Sequence, residues 1–402
     1  MIRNLKTFLE TVSLLLIAFA SNAQAEFSHP INQDTLISNK STEYKVALLL
    51  PFQANKIVTD SLGNPEGIPS VSRLAIEFYE GVRLALDSLQ QDGISLKLFV
   101  FDTQADTNHL KVILTNPQMQ SMDLIIGPVY NSELNLAQKF AAKYHVPLIS
   151  PLSSNFVTAD NPFFISANAS LKSHCESIFN YITQHDKPSQ IIFIYRNNDN
   201  EKNVMNYFNS FNQKSGNAIK FVSLTDSSSR TQSSLISTLT DSDKNIIIIP
   251  SFSETFVYSI SKTLNAIAPQ RNITVYGMPT WKDFESLQLG WMDTLHMHFT
   301  TNTWYQKSDS ATTKLMNDYQ SKFDIKPTDF SLQGYDIMQY AGELLMNYGK
   351  NITQNFTLPV HQTLVNRFMI SPVINGDHTD QFENKFVFML QFDNGTIQIV
   401  KQ

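Results

Sequence analysis

Between Tyr44 and Ser153 the chain alternates two textures: short, nearly unbroken apolar runs, and longer stretches whose apolar residues recur every third or fourth position. "YKVALLLPF" is of the first kind, and its continuity predicts a strand covered on both faces, as a parallel sheet requires. "LAIEFYEGVRLALDSLQQDG" is of the second kind. Leu74, Phe78, Val82, Ala85, Leu86 and Leu89 share one face and Gly93 follows as a stop, which predicts an amphipathic helix. "ISLKLFVFDT", "DLIIG" and "VPLIS" read as further strands, with helices over Asp106–Met119 and "SELNLAQKFAAKYH" between them. Strand and helix alternating at this spacing predict a parallel sheet with right-handed crossovers.

The same order restarts after residue 170. Helices "SHCESIFNYITQH", "NVMNYFNSFNQKSG", "SSLISTLT" and "ETFVYSISKTLNAIA" alternate with strands "QIIFIYRN", "IKFVSL", "NIIIIPS" and "ITVYGMP", predicting a second α/β unit that is not a sequence repeat of the first. "LHMHFTTNTWY", two helical segments across 310–349 and the alternation "KFVFMLQFDNGTIQIV" follow, with "DNG" marking a hairpin turn. Residues 53–73 are rich in Gly, Pro, Ser and Asn and too long for an idle loop in a compact domain, so they read as a lid or a disordered segment.

The N-terminus changes the picture of where the chain works. Arg3 and Lys6 precede "TVSLLLIAFA" and Ala23-Gln24-Ala25, the layout of a secretory signal peptide cleaved after Ala25. That apolar segment is shorter than the ~20 residues a membrane anchor needs. Residues 26–43 read as a flexible leader, and no later run is long enough to span a bilayer, so a periplasmic chain without stable membrane insertion is expected. A total of 402 residues suggests two domains at ~100–200 residues each. The net charge of -6 supplies no basic field for nucleic acid. Cys175 is the sole cysteine, expected as a buried, inert thiol.

Two of the apolar runs stop at Gly127-Pro128 and Ser150-Pro151. In an open parallel sheet such carboxyl ends are where ligands bind. Asn131 or Ser132 can cap the following helix, with Glu133 in its first turn, and the N–H groups there favour an anion such as a carboxylate. Plain capping without a ligand accounts for the same residues.

Taken in order, "VALLLPF", "EFYEGVRLALDSL", "LFVFDTQAD", "DLIIGPVYNSELNLAQKFAAKYHVPLISPLSS" and "GYDIMQYAGELL" resemble the type I periplasmic-binding-protein family, the fold of branched-chain amino-acid binding proteins and receptor ligand-binding regions. The likeness runs from Tyr44 to Gln402. Within the family, "EFYEG" and "DLIIGPVY" are similar to the binding-protein-like domain that follows LysM peptidoglycan-binding modules in envelope proteins. The resemblance implies an α/β fold of two lobes, each a mostly parallel sheet flanked by helices. The lobes are joined by three chain crossings, with a small ligand in the cleft between them and closure by a hinge. It places lobe 1 at 44–165 and 282–350, and lobe 2 at 166–281 and 351–402.

Carried over position by position, the carboxylate-binding serine falls near Asn131 and Ser132, and the groups after the next strand fall at Ser150, Leu152 and Ser153. Phe52 offers an apolar wall. Lobe 2 offers Tyr195, Arg196 and Asn197, then Ser251 and Met278. Arg196 is the sharpest candidate, because a guanidinium can grip a carboxylate with two N–H groups, although a solvated loop arginine would read the same way. Tyr130 departs from the small residues amino-acid binders carry at this corner, and no acid is evidently placed for an α-ammonium. Two roles stay open: a solute-binding protein for an amino acid or related carboxylate serving an ABC permease, and an interaction module of the envelope acting on a protein partner near peptidoglycan synthesis. No enzyme motif is present, neither Gly-x-Ser-x-Gly, a phosphate loop nor His-Glu-x-x-His, and no cofactor is called for. His296 and His298 alternate on one strand face without a third ligand, so no metal is expected.

Overall fold

A computed structural model describes residues 43–400, apart from 62–64, 155–159, 218, 226–234, 241–243, 288, 307 and 355–359. The expected signal peptide and all but the last residue of the expected leader lie outside the described residues. Strands run in the order β1 (Tyr44–Leu50), β2 (Leu96–Asp102), β3 (Leu124–Ile126), β4 (Leu148–Ser150), β5 (Phe164–Ser166), β6 (Gln190–Tyr195), β7 (Lys220–Thr225), β8 (Asn245–Ile248), β9 (Ile273–Tyr276), β10 (His298–Thr301), β11 (Ile370–Asn375), β12 (His378–Asn384), β13 (Phe388–Asp393) and β14 (Thr396–Ile399). The helices are α1 (Ser70–Gln91), α2 (Thr107–Thr115), α3 (Asn131–Tyr144), α4 (Leu171–Tyr181), α5 (Asp199–Ser215), α6 (Glu254–Ile267), α7 (Leu289–Thr294), α8 (Ser310–Phe323) and α9 (Asp329–Tyr348).

The chain divides into two compact units, one of residues up to 168 with 305–383, the other of 169–304 with 384 onward. Unit 1 holds a seven-stranded sheet in the order β11-β12-β5-β4-β3-β1-β2. From β2 to β12 every neighbouring pair is parallel. The unbroken run of β1 is explained by its central place: Val46, Ala47, Leu48, Leu49 and Leu50 have no exposed surface, because helices cover both faces. Unit 2 holds a second seven-stranded sheet, β14-β13-β10-β9-β8-β6-β7, parallel from β7 to β10 and antiparallel beyond it. Asn394 and Gly395 both take positive φ in the β13–β14 turn, as "DNG" requires. Phe388 and Phe392 of this hairpin are core residues.

The units divide elsewhere than the expected lobes. Residues 282–304 belong to unit 2, because β10 pairs with β9 at Tyr276 and His298 and with β13 along its whole length. Residues 166–168 and 351–383 belong to unit 1, because β12 pairs with β5 through Phe382 and Ile165. In the segment 53–73, a short helical turn at Ala54–Lys56 and a ladder between Val58–Thr59 and Pro65–Gly67 precede α1, which starts at Ser70 rather than Leu74.

"EFYEG" and "GYDIMQYAG" acquire a physical meaning as the two sides of one helix crossing. A Cβ at Gly81 of α1 would lie 1.8 Å from the Ser331 carbonyl oxygen, and one at Gly334 of α9 would lie 2.1 Å from that of Phe78. Backbone meets backbone there, so only glycine fits. The acids of the motif are spent on the same joint: Thr328, the N-cap of α9, donates to Glu77 at 3.0 Å, and Tyr319 donates to Glu80 at 2.5 Å. Gly334→Ala is therefore expected to cost about 1–3 kcal/mol by forcing the helices apart. Urea unfolding followed by circular dichroism measures it, and an unchanged midpoint would contradict the crossing.

Candidate functional site

Six parallel strands of unit 1, β1 to β5 and β12, end at the same edge of the sheet, and the loops that leave the first five carry most of the polar candidates. After β1 and β2 the chain is fixed by Asp102, whose carboxylate accepts the backbone N–H groups of Gln53 and Gln104, each at 2.9 Å, and of Ala54 at 3.0 Å. After β3 comes Gly127, at φ 94 with a would-be Cβ 2.3 Å from the Leu49 carbonyl oxygen, so the corner excludes any side chain. The Gly127-Pro128 bond is cis.

Helix α3 then begins at Asn131. Its N-cap is Tyr130, which makes no side-chain capping bond, so neither Asn131 nor Ser132 caps the helix as the sequence suggested. The reason is local: the Asn131 side chain is turned to Ser153, whose hydroxyl donates to Asn131 Oδ1. Ser153 is tied in from behind, its carbonyl accepting the Ser150 hydroxyl at 2.7 Å and the Ser166 hydroxyl at 3.4 Å. Asn168 Nδ2 donates to the Leu152 carbonyl at 3.0 Å. Asn131, Ser150, Leu152 and Ser153 are thus brought together. Ser150 is fully buried and shapes the loop, whereas Asn131 and Ser132 are exposed beside the first N–H groups of α3, which a helix leaves without internal partners. Phe52 is a core residue, edge-on to Tyr79 at 5.8 Å, and Tyr130 is half-buried against the same cluster.

Glu133 is the unexpected member. It sits in the first turn of α3 with no exposed surface, and neither carboxyl oxygen makes a hydrogen bond of ordinary geometry to any described residue. Burial pushes its pKa up to about 7; the nearby Thr103 hydroxyl pulls it back in part, and the charges of Asp106 and Asp102 add to the rise. Burial, then Glu133, also raises the Tyr130 phenol.

In unit 2 the candidates are used internally. Arg196 does not offer a free fork: its Nε and Nη2 donate to Glu201 Oε1 at 2.9 and 2.7 Å, and its guanidinium lies 5.4 Å from the Phe256 ring centre. Ser251 is buried, accepting the Ser253 N–H on its hydroxyl and the Trp281 indole N–H on its carbonyl. Met278 is a core residue at the start of a short helical turn, with no exposed surface. Tyr195 is half-buried and Asn197 exposed. His298 is buried against Tyr276, with Nδ1 2.7 Å from the His296 carbonyl, and burial pushes its pKa down to about 4. Cys175 is buried, which raises its thiol pKa, so it is an inert thiol.

Sequence reasoning missed Asp102, Ser166 and Asn168. Each stands at or just past a strand end, the same signal that singled out Ser150.

Comparisons bear on this arrangement. No curated protein matches the chain. Solved structures do: a putative branched-chain amino acid ABC transporter from Rhodospirillum rubrum aligns over 89% of this chain and 100% of its own at 13% identity, with a TM-score of 0.67. An ABC transporter substrate-binding protein from Desulfitobacterium hafniense, in complex with Leu, covers 89% and 100% at 13% identity and 0.57. The C-domain of LpoA (YraM) from Haemophilus influenzae, a regulator of PBP1A, covers 89% and 100% at 15% identity and 0.58. At such identities the likeness establishes the fold, the two-lobed α/β type I architecture. Among the described residues no helix is long and apolar enough to cross a membrane. The periplasmic binding protein family model matches residues 71–381, which spans both units, and the chain belongs to that family, one of binding proteins rather than enzymes.

Proposed function

We propose that the protein is exported to the periplasm by its N-terminal segment and there holds a small carboxylate, an amino acid or close relative, for an ABC importer. The observation that carries this reading is the exposed first turn of α3, where Asn131 and Ser132 stand beside Ser153 on a loop braced by Ser150 and Ser166. A helix N-terminus flanked by hydroxyls suits a carboxylate through backbone N–H groups and the helix dipole. The Leu complex of the Desulfitobacterium protein supports the ligand class. In this reading Ser132, Asn131 and Ser153 contact the ligand, Tyr130 and Leu152 flank it, and Ser150 and Phe52 shape the pocket wall from behind. In unit 2, Tyr195 and Asn197 stand where β6 ends, Arg196 is held by its pairing with Glu201, and Ser251 and Met278 are packed at the ends of their own strands.

Calorimetric titration of the bound amino acid tests it. Ser132→Ala and Ser153→Ala are each expected to weaken binding by about tenfold, the worth of ~1.4 kcal/mol. Lys314→Ala, an exposed change on α8 away from every candidate residue, is expected to leave affinity unaltered. Equal affinities in all variants would overturn the assignment.

A second reading is favoured by the LpoA likeness, by "EFYEG" and "DLIIGPVY" and by Tyr130 at the corner: an envelope module, similar to LysM-linked domains, that acts on a protein of peptidoglycan synthesis. Neighbouring permease and ATPase genes favour the importer; neighbouring cell-wall genes favour the module.

A further inference from the structure

Three side chains converge at the end of unit 1's sheet opposite the loops described above. His378 and Asp380 are two residues apart on β12 and share a face. Asp160 lies in the connection from β4 to β5, just ahead of β5. His378 Nε2 is 2.5 Å from Asp160 Oδ1 and 3.6 Å from Asp380 Oδ1, and one donor atom from each residue lies within 4.8 Å of the other two. We propose that Asp160, His378 and Asp380 form a binding site for a divalent first-row transition ion of the zinc class.

The donor set is the first argument. One imidazole nitrogen with two carboxylate oxygens is a three-ligand set that such an ion completes with water, and the imidazole separates this group from a patch of surface acids. The spacing is the second. Ligands about 2 Å from a tetrahedral ion stand about 3.3 Å apart. The separations of 2.5 and 3.6 Å from His378 bracket that value, and all three donor atoms lie within 4.8 Å of one another. Anchoring is the third. Asp380 is fixed before any ion arrives, since its Oδ1 accepts the Asp160 N–H at 3.0 Å and its carbonyl accepts the Asn161 N–H at 2.8 Å. Only the Asp160 and His378 side chains, 70% and 50% exposed, must be ordered.

An ion here would have a structural use. The registered ladder between β5 and β12 is short, Phe382 to Ile165 and Glu383 to Ser166. A metal tying residue 160 to β12 would clip the amino end of that pairing, on the strand neighbouring the one that ends in Ser150. Without a metal, the group reduces to a largely exposed His378–Asp160 side-chain contact, an arrangement that contributes little.

The test uses the whole chain, stripped of metal with a chelator. Zinc in equilibrium dialysis is expected to bind at one equivalent and to raise Tm. His378→Gln and Asp160→Asn are each expected to lower zinc affinity by at least about tenfold, since losing a ligand costs no less than losing its outer-sphere partner. His185→Gln, at an exposed histidine of unit 2, should leave the affinity unchanged, and circular dichroism confirms that each variant folds. Absence of saturable zinc uptake by the wild type, or equal affinity in His378→Gln, would overturn the proposal.

Discussion

Replacing Asp336 with alanine is expected to destabilise unit 1 by about 3–5 kcal/mol, a large part of what a domain has to lose. Asp336 lies on α9 with no exposed surface and gathers a turn from across the unit. Its Oδ2 accepts the Thr363 hydroxyl at 2.6 Å, the N–H groups of Val365 and Asn366 at 2.8 Å each, and Asn366 Nδ2 at 3.0 Å; Oδ1 accepts the Leu364 N–H at 3.2 Å. Burial raises the carboxyl pKa, and these donors act in the opposite sense by favouring the ionised form. Alanine would strand three backbone N–H groups and the Asn366 side-chain amide, each costing about 1–3 kcal/mol if it stays dry, whereas the Thr363 hydroxyl keeps the Asn366 carbonyl at 3.0 Å. Asparagine can keep the four bonds of Oδ2 and disturb one, so Asp336→Asn should cost distinctly less. All three tryptophans lie in unit 2, so far-ultraviolet circular dichroism in a denaturant titration is the readout. A loss below 1 kcal/mol for alanine, or equal losses for both variants, would contradict this account of the turn.

Glu133→Gln is expected to stabilise the protein at pH 8 and to leave it nearly unchanged at pH 4. The folded chain holds the Glu133 proton to about pH 7, whereas the ordinary glutamate value is 4.5. The folded state therefore binds the proton more tightly than the unfolded chain. Stability falls as pH rises from about 4.5 through 7, and above that the full cost of an ionised, buried carboxylate is present, at most about 3 kcal/mol. Glutamine cannot ionise and removes the slope. Denaturation midpoints of both proteins between pH 4 and pH 8 measure it; parallel profiles would show that the Glu133 carboxylate is solvated when charged. The group sits one residue past Ser132, so the same substitution tests whether ligand affinity senses this proton.

How much of this was legible in the chain depends on where polarity falls. β1, β3 and β8 announce themselves because central strands of a parallel sheet are apolar on both faces. β12 does not, since its buried positions are Asp380, Gln381, Glu383 and Asn384 alongside Phe382, and a polar strand buried by hydrogen bonding carries no hydropathy signal. That one strand moved the expected lobe boundary by more than thirty residues. Strand ends were legible as places, and the grouping of Asn131 with Ser150 and Ser153 followed from them. The use of each side chain was not. Arg196 looked free because its partner stands five residues on, yet Asn198 followed by Glu201 has the spacing of a helix N-cap and its third residue, and Asn198 Oδ1 does accept the Glu201 N–H at 3.0 Å. An acid at that position beside an arginine is a local signal for a pair. Glu133 also occupies the third position of its helix but reaches no capping partner, and nothing in the pattern of letters marks a carboxyl as dry.

A thermal-shift screen of the chain from residue 26 onward against amino acids, short peptides, muropeptides, nucleosides and sugars tests the central claim most directly. A ligand at 100 times its dissociation constant stabilises the folded state by about 2.7 kcal/mol, which raises Tm by roughly 5–10 °C for a domain of this size. The account predicts such a shift for at least one carboxylate-bearing amino acid, lost in Ser132→Ala. A folded protein whose Tm responds to nothing in the panel would contradict solute binding at the first turn of α3.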